Sequence, residues 1–438
     1  MFSNELWNKS GVPATYSIDQ SIRFNSADTA YMHRTPSSTG NRKTFTSSFW
    51  VKLGKLGVNT QLPMPGVTHG IGSSGLSLTT ANVLNAYIYY GGSWSGLLIG
   101  TRVFRDPSAW FHFVIVVDTT NSIASERIRI YINGQRETNF SSEAYPTQNT
   151  DTDWNLSGEK MWIGIDPSGS GYNGEYYASE MVYIDGTAYG PENFGETNDS
   201  GIWVPKDVSG LTFGTNGFHI DGRDSADLGD DESGNGNDFT ASGLAAHDQV
   251  ADSPTNNFAT INSIYADNAP AGNAGTLSNG NLQYAGSGSS FCIKGLTFNL
   301  PKSGKWYFEY MIGGNNDGFG FIKQGEQGSI NASNGPGNVS VAQGGGIQYQ
   351  GWRNGGNFTT NFADTNTGSP FTAGFIHQVA IDVDNGKFYY GVKNTYYAAD
   401  AGSDGNPSAG TNELSTFAFS TTDVVLLAGN YSGTQYWN

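Results

Sequence analysis

A chain with 39 acidic residues invites a search for paired carboxylates. Carboxylates two residues apart on a strand point into one cleft and can divide acid and base work on a glycosidic bond. No Glu in this chain has an Asp two residues later. Glu175 and Glu180 are five apart, which puts them on opposite faces of a continuous strand. Hard cations want several oxygen ligands. The stretch Asp230 to Asn237 offers Asp230, Asp231, Asn235 and Asn237 as a calcium site, and an Asx-rich solvated loop is the competing reading. Asp382, Asp384 and Gly386 begin like a calcium loop, but the bidentate Glu that should follow is absent, so a hairpin turn accounts for them.

Exposed aromatic rings beside amides and charges are the chemistry of glycan binding. Tyr349, Trp352, Arg353 and Asn354 form such a set in a Gly-rich segment, and Tyr89, Tyr90 and Trp94 form another. The competing reading is inward packing, since aromatics at strand ends are more often core. Gly-x-Gly-x-x-Gly strings at Gly70 to Gly75 and Gly169 to Gly174 precede strand-like sequence, so they read as turns and not as dinucleotide loops. There is no P-loop string and no His-Glu-x-x-His. His112 lies in an apolar strand, where a hydrogen-bonded core histidine is expected.

The elements that must carry these residues are strands. Ile128, Ile130 and Ile132 alternate with Arg129 and Tyr131, and Asn133-Gly134 follows as a turn signal. The run Trp110 to Val117 predicts a strand buried on both faces. Phe45 to Leu53, Asn85 to Tyr90, Met161 to Ile165 and Ser179 to Ile184 predict further strands. Trp306, Phe308 and Tyr310 share one face of another, and Val379 to Tyr390 predicts a hairpin with Asn385-Gly386 at its tip. No segment of helical period carries caps.

Glycine is 60 of 438 residues, about twice the usual ~7% share. Charged residues are only 14%, while aromatics reach 13%, enough to build a large core and exclude global disorder. The length predicts more than one domain. The formal net charge of −17 disfavours nucleic-acid partners and basic-patch membrane binding. No apolar run approaches the ~18 residues of a membrane helix, so no membrane insertion is expected. The single cysteine, Cys292, excludes an intramolecular disulfide. Met1 to Lys9 has no basic region followed by an apolar one, so no secretory signal is visible.

Family patterns emerge from these segments. Ser21 to Phe24, Thr44 to Val51, Trp110 to His112 with Tyr131 to Gly134, and Trp162 to Gly164 with Gly174 to Glu180 resemble a laminin-G-like, concanavalin A-like jelly roll over roughly residues 17–195. That resemblance implies that Glu180 is bonded to nearby backbone. Gly304 to Glu309, Gly318 to Phe321 and Ile381 to Phe388 resemble a SPRY domain over roughly 290–438, which implies a closing strand after Asn438, missing here or supplied from elsewhere. The order of Ile184 to Tyr189, Asn193 to Thr197, Ser233 to Phe239 and Asp252 to Phe258 resembles virion appendage proteins of tailed bacteriophages, nearest to marine and cyanobacterial phages.

The expected architecture is all-β: two concanavalin A-like antiparallel β-sandwiches joined by an extended irregular linker. The expected boundaries are an N-terminal arm at 1–16, a jelly roll at 17–201, an acidic Gly/Asn-rich linker at 202–290 that packs along its neighbours, and a SPRY-like sandwich at 291–438. The phage resemblance implies a non-enzymatic structural and adhesive virion protein, made in the host cytoplasm. Its implied partners are other virion proteins, copies of itself as a homo-oligomer with a trimer favoured, and host-surface polysaccharide. A decoration protein without receptor binding and a polysaccharide-degrading enzyme are the alternatives. No cofactor is expected beyond the calcium reading above.

Overall fold

The computed structural model describes residues 16–69, 72–90, 93–166, 172–265, 275–286, 292–313, 318–323, 349–350, 357–360, 363–366, 374–398, 404–416, 424–430 and 433–437. The chain is all-β and its sheets are antiparallel. The helices among the described residues are short 3-10 turns such as Ser26–Asp28 and Pro191–Asn193. No helix among them is long and apolar enough to cross a membrane. The chain divides into two units, 7–257 and, apart from its first six residues, 258–438.

Strand alternation builds the first unit. In Thr44–Leu53 the side chains of Phe45, Phe49, Val51 and Leu53 enter the main core, while Trp50 and Lys52 take the other face. Trp110–Asp118 does the same: Phe113, Ile115 and Val117 go inward, and Val114 and Val116 outward. One sheet runs in the order Gln135–Arg136, Ile128–Ile132, Trp110–Asp118, Thr44–Leu53, Tyr176–Asp185, Ser21–Phe24, Gln249–Val250. The facing sheet runs Phe140–Ala144, Ser93–Val103, Val83–Tyr90, Gly72–Leu78, Gly66–His69, Met161–Ile163, Tyr31–Arg34, Thr240–Ser242, with Thr60–Gln61 also pairing Gly72–Leu78. Leu76, Ala86, Leu98, Met32 and Met161 meet Phe45, Phe49 and Phe113 between them.

The stretch from Ile202 to Asn257 is part of this unit, not of a linker. Phe218–Ile220 pairs with Tyr176–Asp185, Thr240–Ser242 with Tyr31–Arg34, and Gln249–Val250 with Ser21–Phe24. The physical cause lies on the first sheet's outward face. Val114, Val116, Val182 and Ile184 would stand in water there, and Phe194, Val208 and Phe213 cover them.

The end of the stretch closes the unit as a clasp. Lys52 Nζ is buried against Asp252 Oδ2 at 2.6 Å and Asn257 Oδ1 at 2.9 Å. Trp110 Nε1 donates to Asp252 Oδ1 at 3.0 Å. Ile18 N donates to Thr255 Oγ1 at 2.8 Å, and Asn257 Nδ2 to the Ser108 carbonyl at 2.8 Å. Arg23 pairs with Asp248 at 2.9 Å beside it.

In the second unit one sheet runs Thr276–Ser278, Gln283–Ala285, Thr434–Trp437, Lys305–Met311, Ile376–Asp382, Lys387–Val392, Thr395–Tyr397. The other runs Cys292–Leu300, Val424–Asn430, Gly318–Lys323, Tyr349–Gln350, Asn357–Thr360, Ala363–Asn366. Trp306, Phe308 and Tyr310 share the core face with Phe319, Phe388, Tyr390 and Trp437. Trp437 stacks on Tyr310 at 5.1 Å and on Phe308 at 5.8 Å.

Candidate functional site

The outward face of the first unit's second sheet gathers polar groups whose hydrogen bonding is incomplete. Leu84, Ala86 and Ile88 turn into the core, so Asn85 and Tyr87 turn out. Leu76 and Leu78 turn in, so Gly75 and Ser77 turn out. Pairing then aligns Gln61, Ser77 and Asn85 in one cross-strand row. Gly75 leaves room for Gln61 to lie across it: a Cβ there would stand 2.4 Å from Gln61 Nε2 and 3.2 Å from Tyr87 Oη. Tyr87 Oη donates to Gln61 Oε1 at 2.8 Å. Gln61 Nε2, Ser77 Oγ and Asn85 Oδ1 are buried without a hydrogen-bond partner. Each such group costs about 1–3 kcal/mol. Turning the Gln61 amide over would only move the unpaired atom from nitrogen to oxygen.

Farther along the same face, Met32, Met161 and Ile163 point inward and Tyr31, His33 and Trp162 outward. His33 and Trp162 are register partners and stack at 5.0 Å, with Tyr31 5.6 Å from Trp162. Lys160 Nζ stands 5.1 Å over the Trp162 ring. Trp162 Nε1 and His33 Nδ1 are also buried without partners. Burial, and then the Lys160 charge, hold the His33 pKa below its ordinary value, which favours a neutral ring. Gln61 and Ser77 are fully buried, so that row lies beneath the surface, and the half-buried Tyr31, His33 and Trp162 are the part of this face that can stack a ring. The alternation around Tyr31, His33 and Trp162 is visible in the sequence, but the cross-strand row needs the register.

Glu180 sits in a β-bulge, at φ 48, where the register of Tyr176–Asp185 on Thr44–Leu53 shifts. Its partners are side chains and not nearby backbone, which corrects the expectation drawn from family resemblance. Glu180 Oε2 meets His219 Nε2 at 2.9 Å and Oε1 accepts from Tyr16 Oη at 3.3 Å. The bulge frees Glu180 from the strand's alternation, and Phe218–Ile220 delivers His219 alongside. Burial opposes charging of His219, but the hydrogen bond and charge of Glu180, with Asp221 and Asp231, outweigh it and raise its pKa. Glu175 accepts instead from Ser26 Oγ.

Asp231 is the hub of a loop. Its Oδ1 accepts from His219 N at 2.8 Å and Ser233 N at 2.9 Å, and its Oδ2 from Ser233 Oγ and Asn237 N, both at 2.8 Å. Asn235 Nδ2 donates to the Gly214 and Gly217 carbonyls, and Asn237 Nδ2 to those of Thr215 and Gly217. Carbonyls accept only, so these amides are oriented without ambiguity. Asn237 Oδ1 faces the Arg34 guanidinium. Asp230 is exposed, and burial, then Asp238, Asp227 and Asp224, raise its pKa. Both Asp231 oxygens are therefore engaged and the Asn237 oxygen faces a cation, so the four residues are not arranged as a calcium site. No group of three or more His, Cys, Asp or Glu among the described residues is arranged to hold a metal.

The other sequence candidates divide. Tyr349 lies in the strand Tyr349–Gln350, while Trp352, Arg353 and Asn354 fall outside the described residues. Tyr90 carries Arg42 over its ring at 5.7 Å, Tyr89 N donates to Ser74 Oγ at 2.9 Å, and the Trp94 side chain is outside the described set. His112 is buried between Trp50 and Trp203. Trp203 Nε1 donates to its Nδ1 at 2.9 Å, so the proton sits on Nε2, facing Ser48 Oγ at 2.9 Å. Burial lowers its pKa to about 3. Asp382 accepts from Asn385 N and Nδ2 at 3.0 and 2.9 Å, the geometry of a hairpin turn.

No curated protein matches this chain in sequence. Among solved structures, a putative carbohydrate binding protein from Bacteroides ovatus ATCC 8483 is similar over 52% of this chain and 58% of its own length, at 14% identity and TM-score 0.36. A heptameric SAP-like pentraxin from Limulus polyphemus is similar over 40% of this chain and 80% of its own, at 13% identity and TM-score 0.30. The SPRY domain of human HERC1 is similar over 37% of this chain and 91% of its own, at 11% identity and TM-score 0.26. At these identities and scores no function is transferred. Residues 25–176, inside the first unit, match the laminin G family described as the Concanavalin A-like lectin/glucanases superfamily.

Proposed function

We propose that this protein is a non-enzymatic glycan-binding protein of a tailed-phage virion, acting as a structural and adhesive component that contacts host-surface polysaccharide. The observation that carries the glycan reading is the half-buried aromatic face of Tyr31, His33 and Trp162. The match of residues 25–176 to a superfamily named for lectins and glucanases supports it. The virion reading rests on the motif order from Ile184 to Phe258. Repeated copies in a homo-oligomer, a trimer by preference, would turn weak single contacts into avidity.

The test is binding of the full chain to an array of bacterial surface polysaccharides, with Trp162→Ala as the control. Binding that Trp162→Ala abolishes supports the reading, and no binding to any polysaccharide refutes adhesion and leaves a decoration protein. Quantitative mass spectrometry of purified virions tests the location. Absence of the chain from particles refutes the virion assignment. The enzyme alternative draws on one feature, the strained Glu180 beside His219. Release of reducing ends that Glu180→Gln abolishes would establish it.

A further inference from the structure

A second recessed site lies in the other unit, on the outward face of Lys305–Met311, Ile376–Asp382 and Lys387–Val392. Trp306, Phe308 and Tyr310 fill the core, so Lys305, Tyr307 and Glu309 turn out. Across the ladder they meet Asp382, Ala380 and Gln378, and Ala380 is opposite Tyr389. Next to Gly391 lies the ring of Tyr396, within 3.1 Å of where a Cβ would stand. The loop at 404–411 crosses this face. It is held by Gly405 N on the Tyr396 carbonyl at 3.2 Å, by Lys387 Nζ on the Gly410 carbonyl at 2.5 Å, and by the mutual Asn406 and Thr411 backbone bonds. A cavity of about 250 Å³ results, lined by Tyr307, Tyr389, Tyr396, Lys305, Asp382 and Ser408 among others.

Most polar groups here are engaged. Tyr307 Oη accepts from Gln378 Nε2 at 2.8 Å and donates to Glu309. Asp382 is bound to Asn385, with Lys305 Nζ at 3.7 Å, and Ser408 Oγ donates to Asn406 Oδ1 at 2.7 Å. Tyr389 differs. It is 1% exposed, and its buried hydroxyl has no hydrogen-bond partner. Its ring lines the cavity, while the hydroxyl lies beneath the cavity wall.

We propose that this cavity binds a single sugar ring, independently of the first unit's site, so that each chain carries two glycan-binding sites. Tyrosine rings supply stacking surface. The Lys305 ammonium, whose side chain is 66% exposed, supplies donors to ring hydroxyls. Lys305 and Asp382 both line the cavity and offset one another, which suits a neutral guest over a basic peptide. The volume is below the ~300–1,000 Å³ of sites for drug-sized ligands and suits one ring.

Saturation-transfer NMR on the full chain carrying Trp162→Ala tests this with glucose, galactose, mannose and N-acetylglucosamine, and with a lysine tripeptide as the competing guest. Transfer to at least one sugar is expected. Lys305→Met keeps the apolar stem and removes the ammonium, and should weaken that binding roughly tenfold while the melting temperature holds. Transfer to none of the sugars in the Trp162→Ala chain overturns the second site and leaves the first untouched. Equal sugar affinity in Lys305→Met, or transfer to the tripeptide alone, overturns it as well.

Discussion

Asp252→Ala removes one partner of a nearly dry ion pair, and the structure sets the size of the effect. The side chains of Lys52 and Asp252 are 1% and 6% exposed, and their contact is 2.6 Å. Stranding one member of such a pair costs about 3–5 kcal/mol. The indole N–H of Trp110 loses its acceptor at the same time, which pushes the loss toward the upper end. For a unit of this size, roughly 2–4 °C per kcal/mol translates the loss into a melting shift of about 6–20 °C. Denaturation followed by tryptophan fluorescence is the natural assay, because Trp50 and Trp110 share the Lys52 face. The loss should also depend on pH. Burial lowers the Lys52 pKa while Asp252 opposes it, so without Asp252 the folded-state value falls further below the unfolded ~10.4. The penalty is complete below the folded value and fades as pH rises toward ~10.4, so the gap to wild type should narrow from neutral to alkaline pH. The double variant Lys52→Met with Asp252→Leu should recover much of the loss. A single variant within about 1 kcal/mol of wild type, or a gap indifferent to pH, would refute the reasoning.

Glu180→Gln should leave the chain folded and lower the His219 pKa, measured by NMR titration. Because Glu180 raises that pKa, its contribution is complete below the unfolded ~6.5 and is lost as pH rises through the folded value, so the stability gap between wild type and variant should be widest in acid. His112 should show no titration between pH 8 and 5 by NMR, since burial holds it neutral down to about 3. Its stabilising share should be lost only as pH falls below ~6.5 toward that value. Gly75→Ala should displace the buried Gln61 amide from Tyr87 and cost about 1–3 kcal/mol in a melt, because a Cβ there would stand 2.4 Å from Gln61 Nε2. Calcium or a chelator should leave the melting temperature unchanged, as the Asp231 oxygens already accept four N–H and O–H bonds.

What the sequence determined by itself was local. Alternation of period two decides which side chains of Thr44–Leu53, Trp110–Asp118 and Lys305–Met311 enter a core, and turn residues decide where strands end, because both follow from the geometry of a few neighbouring residues. The all-β class and the His112 environment were legible on those terms. Tertiary structure decided the rest. The stretch 202–257 is sparse in apolar residues and reads as linker until the outward Val114, Val116, Val182 and Ile184 demand a cover. Glu180 meets His219 only because a bulge breaks the alternation on which a sequence reading depends. The row of Gln61, Ser77 and Asn85, and the cavity beside Tyr389, exist because register aligns residues far apart in the chain, and pairing between distant strands leaves no local mark in the sequence.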